Sequence, residues 1–173
     1  MPRRPFPRAL GLVSLVLIVL TGLARGENPA TLASFRFLLG QWEGVGDQAA
    51  ATGGFTFAAG VQDRVIVRTN YSNRPTNAAQ PASRHDDLMI VYVDGGVVKA
   101  DYFDSEGHVI RYVAEARSDG VMLVSESKPS EARYRLSYVQ SSPTTVKGTF
   151  EVAPPGRPDA FAPYLSWTAR RVK

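Results

Sequence analysis

The chain contains two histidines, and each lies near carboxylates. His108 follows the glycine-ended stretch 105–107, so a three-residue hairpin loop would pair it with Asp104 across the turn. An aspartate beside a histidine holds its tautomer and favours its protonated form, which suits a general base or a ligand contact at the mouth of a cavity. Aspartate is also preferred where a type I turn begins, so turn formation is the alternative explanation of this pair.

His85 precedes Asp86 and Asp87 where a long loop is expected to enter a strand. Contact with a metal or a polar substrate is one interpretation, and a solvated loop end is the other. A structural zinc site takes four ligands, usually cysteine or histidine, and the chain has no cysteine and only two histidines. A site formed by two histidines and carboxylates remains possible, but these residues have no recognisable spacing, so we predict no metal site.

Tyrosines on alternating strand positions are the candidate ligand contacts. Their hydroxyls could meet a ligand inside a cavity, although packing in the core is the plainer interpretation. The set consists of Tyr71, Tyr102, Tyr112, Tyr134 and Tyr138. In the hairpin register that pairs Asp104 with His108, Tyr102 lies opposite Ile110 and Ala100 lies opposite Tyr112, which matches apolar partners.

Alternation of apolar and polar residues with period two runs through most of the chain after Gly40 and predicts an all-β fold. Before it, residues 31–39 are predicted as a short helix that Gly40 ends. Two proline-containing stretches, 72–86 and 153–163, are predicted as loops. The ten predicted strands span 42–46, 53–59, 62–72, 87–93, 97–104, 108–116, 121–126, 132–140, 144–153 and 164–172.

The strands are joined mostly by short connections. Three of them, 94–96, 105–107 and 118–120, end in glycine and are predicted as three-residue hairpin loops. An open sheet of ten strands would expose two edges, and closure removes both. We therefore predict a closed antiparallel up-and-down barrel of about ten strands, with a two-sheet sandwich as the alternative.

The amino terminus has the order of a secretory signal peptide. Three arginines in the first eight residues precede an apolar run from Ala9 to Leu20, and small residues follow. We predict that residues 1–26 are cleaved and that residues 27–173 form the barrel domain. The protein is then exported, periplasmic or secreted, and keeps no stable membrane anchor, since the apolar run is shorter than the roughly 20 residues that span a bilayer.

The charge of the predicted mature chain excludes one class of partner. Four of the 20 basic residues lie in the signal peptide, which contains no acid, so 16 basic and 16 acidic residues remain. Without a net positive field, we predict no binding to nucleic acid. The absence of cysteine excludes disulfides, so the exported domain must rely on its hydrophobic core.

The two ends of the domain carry a resemblance to a known group. Gly40-Gln41-Trp42 opens the first strand, and Arg170 and Arg171 close the last one. This is similar to the calycins, which include lipocalins, fatty-acid-binding proteins and nitrobindins. The resemblance implies that Trp42 closes one end of the barrel beneath an arginine of the last strand, and either Arg170 or Arg171 could be that arginine.

The stretch from Gly40 to Gly46, with glycines at positions 44 and 46, also resembles the opening of nitrobindin-like haem barrels and small bacterial barrel domains of unknown function. The nitrobindin resemblance would imply a haem-ligating histidine near the carboxyl end. No histidine follows His108, so we predict that the protein uses no haem, and no other cofactor is indicated.

Three functions remain open on this fold. In the first, the barrel binds a small, mostly apolar molecule in its cavity, contacted by the tyrosines and His108. In the second, it is an enzyme with His108 and Asp104 as an acid–base pair. In the third, it is a structural or interaction domain with a filled interior, since a fold alone does not decide function.

Overall fold

In a computed structural model that describes residues 31–46, 52–76 and 78–172, the chain forms a closed barrel of ten antiparallel strands. Each strand pairs with its neighbours in the sequence, and pairing of the first strand with the last completes the ring. The predicted closed up-and-down barrel is therefore confirmed. The predicted signal peptide, residues 1–26, lies outside the described residues.

The strands follow a short 3₁₀ helix, Leu32–Leu38, where the sequence predicted a helix of unspecified type. Its first turn is capped by the Thr31 hydroxyl, which accepts a hydrogen bond from the Ala33 amide at 3.3 Å. The strands are β1 Gly40–Val45, β2 Thr52–Gly60, β3 Val65–Arg74, β4 Ser83–Asp94, β5 Val97–Asp104, β6 Val109–Arg117, β7 Gly120–Ser125, β8 Arg133–Ser142, β9 Thr145–Ala153 and β10 Ala162–Arg171.

The helix defines the two ends of the barrel. Phe35 and Leu38 are fully buried and pack on the core, and the helix contacts β3, β4 and β7. We call this the plugged end, and we call the other end, where the β3–β4, β5–β6, β7–β8 and β9–β10 connections lie, the open end. In the described ranges, no helix is both long and apolar enough to cross a membrane.

An arginine of the last strand joins the helix to the barrel wall. Trp42 is buried, its indole Nε1 donates to the Leu38 carbonyl at 2.7 Å, and the Arg171 guanidinium lies 4.3 Å from the ring centroid. Arg171 also donates to the carbonyls of Leu39 and Phe37. The neighbouring Arg170 is exposed. Of the two arginines that the sequence left open, it is therefore Arg171 that stacks on Trp42.

The face of β3 that points into the barrel is not the face that carries Tyr71. Ile66 and Arg68 point into the barrel and are buried, whereas Tyr71 is 37% exposed on the outer face. Its ring lies over Gly54 of β2, where a Cβ would meet the Tyr71 hydroxyl at 3.4 Å, and beneath the Arg84 guanidinium, 5.0 Å from the ring centroid. The prediction that Tyr71 lines the interior is therefore wrong.

The predicted hairpin register of β5 and β6 is confirmed. Tyr102 pairs with Ile110, Ala100 pairs with Tyr112, and Gly107 has the positive φ of 88° that the third loop position needs.

The other two glycine-ended hairpins have two-residue loops rather than the predicted three. Asp94 pairs directly with Val97 across two glycines with positive φ, as a type I′ turn requires. Arg117 pairs directly with Gly120, which already belongs to β7.

The connection between β3 and β4 is shorter than the predicted loop 72–86. β3 continues to Arg74 and β4 begins at Ser83, and the two polar strand ends pair with each other, Ser72 with His85 among them. Polar residues there indicated a loop, but they form a ladder near the open end where both faces of the sheet approach solvent. His85 therefore lies within a strand and not at a loop end.

The contribution of Arg171 to barrel closure can be measured against its neighbour. We expect Arg171→Met to lower the free energy of unfolding by about 2–4 kcal/mol, because two carbonyls lose a charged donor and the indole loses its cation. Arg170→Met should change it by less than about 0.5 kcal/mol. Equilibrium urea unfolding measures both, and equal losses in the two variants would contradict the assigned role of Arg171.

Candidate functional site

Both histidines lie together at the open end, on the rim of the barrel. His85 comes from β4, and His108 follows the turn between β5 and β6. The Nδ1 atom of His108 lies 2.9 Å from Asp104 Oδ2, and Nδ1 of His85 lies 2.7 Å from Glu106 Oε2. We define the rim cluster as His85, Asp104, Glu106 and His108.

The side chain of Asp104 stabilises the turn between β5 and β6 through hydrogen bonds to the turn's backbone amides. Oδ1 of Asp104 accepts hydrogen bonds from the amides of Glu106, at 3.0 Å, and His108, at 2.9 Å. Burial of this carboxylate would raise its pKa, but the hydrogen bonds and charge of His108 and the Glu106 amide outweigh burial and lower it. Asp104 thus forms the turn, as the turn interpretation of the sequence holds, and also contacts His108. The role of this pair as a general base or ligand contact stays a prediction.

Tyr102 connects the rim cluster to the barrel interior. Its hydroxyl lies 3.3 Å from His85 Nε2 and donates to Asp104 Oδ2 at 3.4 Å. Desolvation, together with the nearby charges of Asp87 and Asp104, raises the pKa of Tyr102 well above its ordinary value. The phenol therefore remains protonated and able to donate at any ordinary pH.

A buried ion pair lies beneath the rim. The side chains of Arg68 and Asp87 are 6% and 3% exposed, and Arg68 Nη2 lies 3.3 Å from both carboxylate oxygens. Asn70 donates to Asp87 Oδ2 at 2.7 Å, and Nε2 of His85 lies 3.4 Å from the same oxygen. Burial alone would lower the pKa of Arg68, but the surrounding phenols and Asp87 raise it, so the guanidinium stays charged.

Two further tyrosines surround the guanidinium deeper in the barrel. Burial raises the pKa of Tyr138 to about 12, although Arg68 acts in the opposite direction. The pKa of Tyr112 is raised even further, again mainly by burial. The Arg68 guanidinium lies 6.0 Å from the centroid of the Tyr138 ring. Arg68 therefore sits in a cage of neutral phenols with one carboxylate.

Three polar atoms of this buried group have no hydrogen-bond partner in the described part of the chain: Arg68 Nε, Asp87 Oδ1 and the Tyr138 hydroxyl. Leaving such a group unpaired costs about 1–3 kcal/mol. Native interiors rarely contain such groups without a structural or functional reason. Two of the three atoms are donors, on adjacent side chains.

The predicted tyrosines thus divide into three groups. Tyr102, Tyr112 and Tyr138 lie around Arg68, and Tyr71 lies outside the barrel. Tyr134 faces inward but is only half-buried, and its ring stacks on Phe150 at a centroid distance of 5.7 Å. His108 is brought to Asp104 as predicted, although its side chain is 65% exposed and lies at the rim.

The sequence patterns did not identify Arg68 or Asn70 as site residues, and Asp87 entered the hypotheses only through the acidic stretch after His85. Alternation alone cannot tell which face of a barrel strand is inside. One signal was available: the face of β3 that carries Arg68 also carries Ile66, and Asp87 shares its strand face with Met89 and Val91. A polar residue in phase with core residues indicates a buried polar site.

The rim cluster contains the only group of three or more potential metal ligands found among the described residues. In this group, each residue offers one donor atom, and the three atoms lie within 4.8 Å of one another. The residues are His85, Asp104 and Glu106. Two open grooves, of about 420 and 380 Å³, lie nearby on the wall, and Arg84 lines both. Neither groove is lined by Arg68 or Tyr138.

No protein-family model matches the chain, and no curated protein matches it closely enough to count as a relative. The molecule's own geometry at the open end, in the rim cluster and around Arg68, therefore indicates what it could bind.

Because the Tyr138 hydroxyl has no partner, its removal should cost nothing in the free protein. We expect Tyr138→Phe to leave the free energy of unfolding unchanged or to raise it by up to about 1 kcal/mol. The control is Tyr92→Phe, which breaks a 3.1 Å hydrogen bond to Asp101 and should cost about 0.5–1.5 kcal/mol. A larger loss in Tyr138→Phe than in Tyr92→Phe would show that the buried hydroxyl is hydrogen-bonded.

The raised pKa of Tyr138 predicts how stability changes in alkali. A phenol in the unfolded chain ionises near pH 10, whereas Tyr138 in the folded chain keeps its proton to about 12. Its contribution to stability is therefore complete below about pH 10 and is lost as pH rises through about 12. In urea unfolding over this range, Tyr138→Phe should lose stability less steeply than the wild type, and parallel curves would contradict the assignment.

Proposed function

We propose that the protein is a calycin-like binding barrel that holds a small molecule with an apolar body and one hydrogen-bond-accepting group, such as a carboxylate or carbonyl. The acceptor would lie between Arg68 and Tyr138. The observation that carries the proposal is the pair of buried, unpartnered donors, Arg68 Nε and the Tyr138 hydroxyl. One acceptor oxygen could satisfy both.

The charge around Arg68 favours a ligand group that accepts a hydrogen bond over one that donates. Arg68 Nη2 is already 3.3 Å from Asp87, and Asn70 supplies a second donor to that carboxylate. The carboxylate is thereby partly neutralised, and Arg68 Nε has no hydrogen-bond partner among the described residues. A charge-assisted hydrogen bond to Nε in this desolvated place would be stronger than one formed in water.

Apolar rings toward the open end would contact the body of the ligand. Tyr134 and Phe150 stack there and are only partly buried, and Ile110 is likewise half-buried. These side chains present apolar surface that the barrel itself does not cover. Such a combination of apolar walls with a few convergent polar groups is typical of small-molecule sites.

The other half of the barrel is filled, which limits the size of the ligand. The rings of Trp42, Phe55, Phe57, Tyr138 and Trp167 contact one another in series, with centroid distances from 5.6 to 6.1 Å. A ligand would therefore lie on the rim side of Tyr138. We therefore propose a combination of two of the three hypotheses, in which aromatic rings fill one half of the barrel and the other half would bind the ligand.

Acid–base catalysis by Asp104 and His108 is the weaker candidate function. The imidazole is 65% exposed at the rim, and Asp104 Oδ1 is already used by two turn amides. A catalytic pair gains its strength from a desolvated pocket, which this pair lacks. The proposal therefore assigns binding and not catalysis to the barrel.

The proposal includes export. Residues 1–26 combine a basic start, an apolar run and small residues, as signal peptides do. A binding barrel outside the cytoplasm would capture or carry its ligand there. Because the chain has no cysteine, its closed sheet and not a disulfide would stabilise it.

The proposed function can be tested with a fluorescent carboxylate, dansyl-aminoundecanoic acid. We expect saturable binding to the wild type, and binding that is about two- to tenfold weaker in Tyr138→Phe, because one hydrogen bond to the carboxylate is lost. Tyr92→Phe, which changes a hydroxyl on the outer face, should bind as the wild type does.

Native mass spectrometry of the protein purified from its own host provides the second measurement. A retained small molecule bearing a carboxylate or carbonyl, absent from Tyr138→Phe, would support the proposal. Equal affinity of the probe for the wild type and Tyr138→Phe, with no retained molecule, would show that the unpartnered donors serve a buried water or nothing at all.

A further inference from the structure

We propose that the rim cluster is a binding site for a divalent transition-metal ion, with His85, Asp104 and Glu106 as its ligands. This inference goes beyond the proposed function and does not depend on it. It rests on the positions of side chains at the rim and not on the unpartnered donors around Tyr138.

The donor atoms are already close to the spacing of a metal site. The candidate ligand atoms of the three residues lie within 4.8 Å of one another, and His85 Nδ1 is only 2.7 Å from Glu106 Oε2. Ligand atoms bound to one zinc ion at about 2.0–2.2 Å lie about 3–3.5 Å apart. Small rotations of the side chains would therefore close the set around an ion, with no movement of the backbone.

The backbone that carries these ligands is tied together before any ion binds. The Ser105 amide donates to the Asp86 carbonyl at 2.9 Å, and the Asp86 amide donates to the Ser105 hydroxyl at 3.2 Å. These two hydrogen bonds join the β5–β6 turn to β4 beside His85. Because Asp104 uses Oδ1 to hold the turn, a cation would bind its Oδ2, which also lies 2.9 Å from His108 Nδ1 and accepts a hydrogen bond from the Tyr102 hydroxyl.

The charges at this end of the barrel also favour a cation. Three carboxylates, Asp87, Asp104 and Glu106, lie in one connected network with a single fixed positive charge, Arg68, at its deep end. Asp87 is 3% exposed, and its Oδ1 lies 3.3 Å from Arg68 Nη2 but accepts no hydrogen bond from the described residues. Its Oδ2 lies 3.4 Å from His85 Nε2. A bound cation would balance the excess negative charge that Arg68 leaves.

The donor types select the class of metal. One imidazole nitrogen and two carboxylate oxygens suit zinc and its first-row neighbours, whereas magnesium and calcium prefer oxygen ligands alone. His108, with Nδ1 2.9 Å from Asp104 Oδ2, would orient that carboxylate, as outer hydrogen-bond partners of metal ligands do. Three ligands leave a coordination position open to water or to another molecule at the barrel mouth.

The test is a titration of the purified, tag-free protein with Zn²⁺ in an isothermal calorimeter. We expect one ion per chain, and affinity that is about tenfold or more weaker in His85→Gln and in Glu106→Gln. The matched control is Glu131→Gln, because Glu131 is also a glutamate in an open-end connection and is 59% exposed, against 52% for Glu106. The control should bind Zn²⁺ as the wild type does.

Imidazole nitrogen NMR gives a second readout that does not depend on a variant folding. The chain has only two histidines, so two ring systems appear, and Zn²⁺ should shift the signals of His85 strongly. Equal binding of Ca²⁺ and Zn²⁺, unchanged His85 signals, or unchanged affinity in Glu106→Gln would each overturn the proposal.

Discussion

The barrel depends on the closure of its first strand on its last, and Arg171 is the side chain that secures it. Among the described residues, β1 and β10 pair at four positions, and the first of these places Arg171 opposite Trp42. No hairpin joins these two strands, since they lie at opposite ends of the domain, so their pairing bears the largest loop-closure entropy. One guanidinium offsets that cost by contacting the indole and two carbonyls of the helix region, so strand, strand and plug are held together.

Closure creates an interior whose two halves differ in the side chains that fill them. Near the plug, aromatic rings fill the space and hydrophobic burial stabilises the fold. Toward the open end, the buried side chains include Arg68 and Asp87, and burying two charges rarely adds net stability compared with apolar residues of similar volume. The proposed ligand site would account for polar groups retained at such a place with donors left unpaired.

The sequence predicted the barrel well because its evidence was local. Period-two alternation, glycine-ended turns and the Gly40–Trp42 motif each depend on a few neighbouring residues, and together they predicted strand number, closure and the tryptophan plug. The hairpin register that joins Asp104 to His108 was predictable for the same reason. Between Asp94 and Val97, the same two glycines fit a two-residue loop and a three-residue loop. The sequence therefore did not decide between the two loop lengths.

The site was harder to predict because its parts are distant in sequence and its polarity was misleading. Arg68 and Asp87 are 19 positions apart, and only the register of β3 on β4 brings them together. Polar residues at strand ends were interpreted as a loop, which moved His85 out of its strand. For Tyr71 the error is the opposite one. Its phase with Val65 and Val67 predicts an internal position, but the ring covers Gly54 on the outer wall.

Tyr102 makes the rim and the interior parts of one electrostatic system. Its hydroxyl contacts both His85 Nε2 and Asp104 Oδ2, while the charges of Arg68 and Asp87 act on it from below. A cation held at the rim would draw these two residues toward itself and leave the Tyr102 hydroxyl free to turn toward the interior. An acceptor bound beside Arg68 would act on the same hydroxyl from the other side. Because binding free energies are linked, any effect of the rim cation on ligand affinity must equal the effect of the ligand on cation affinity.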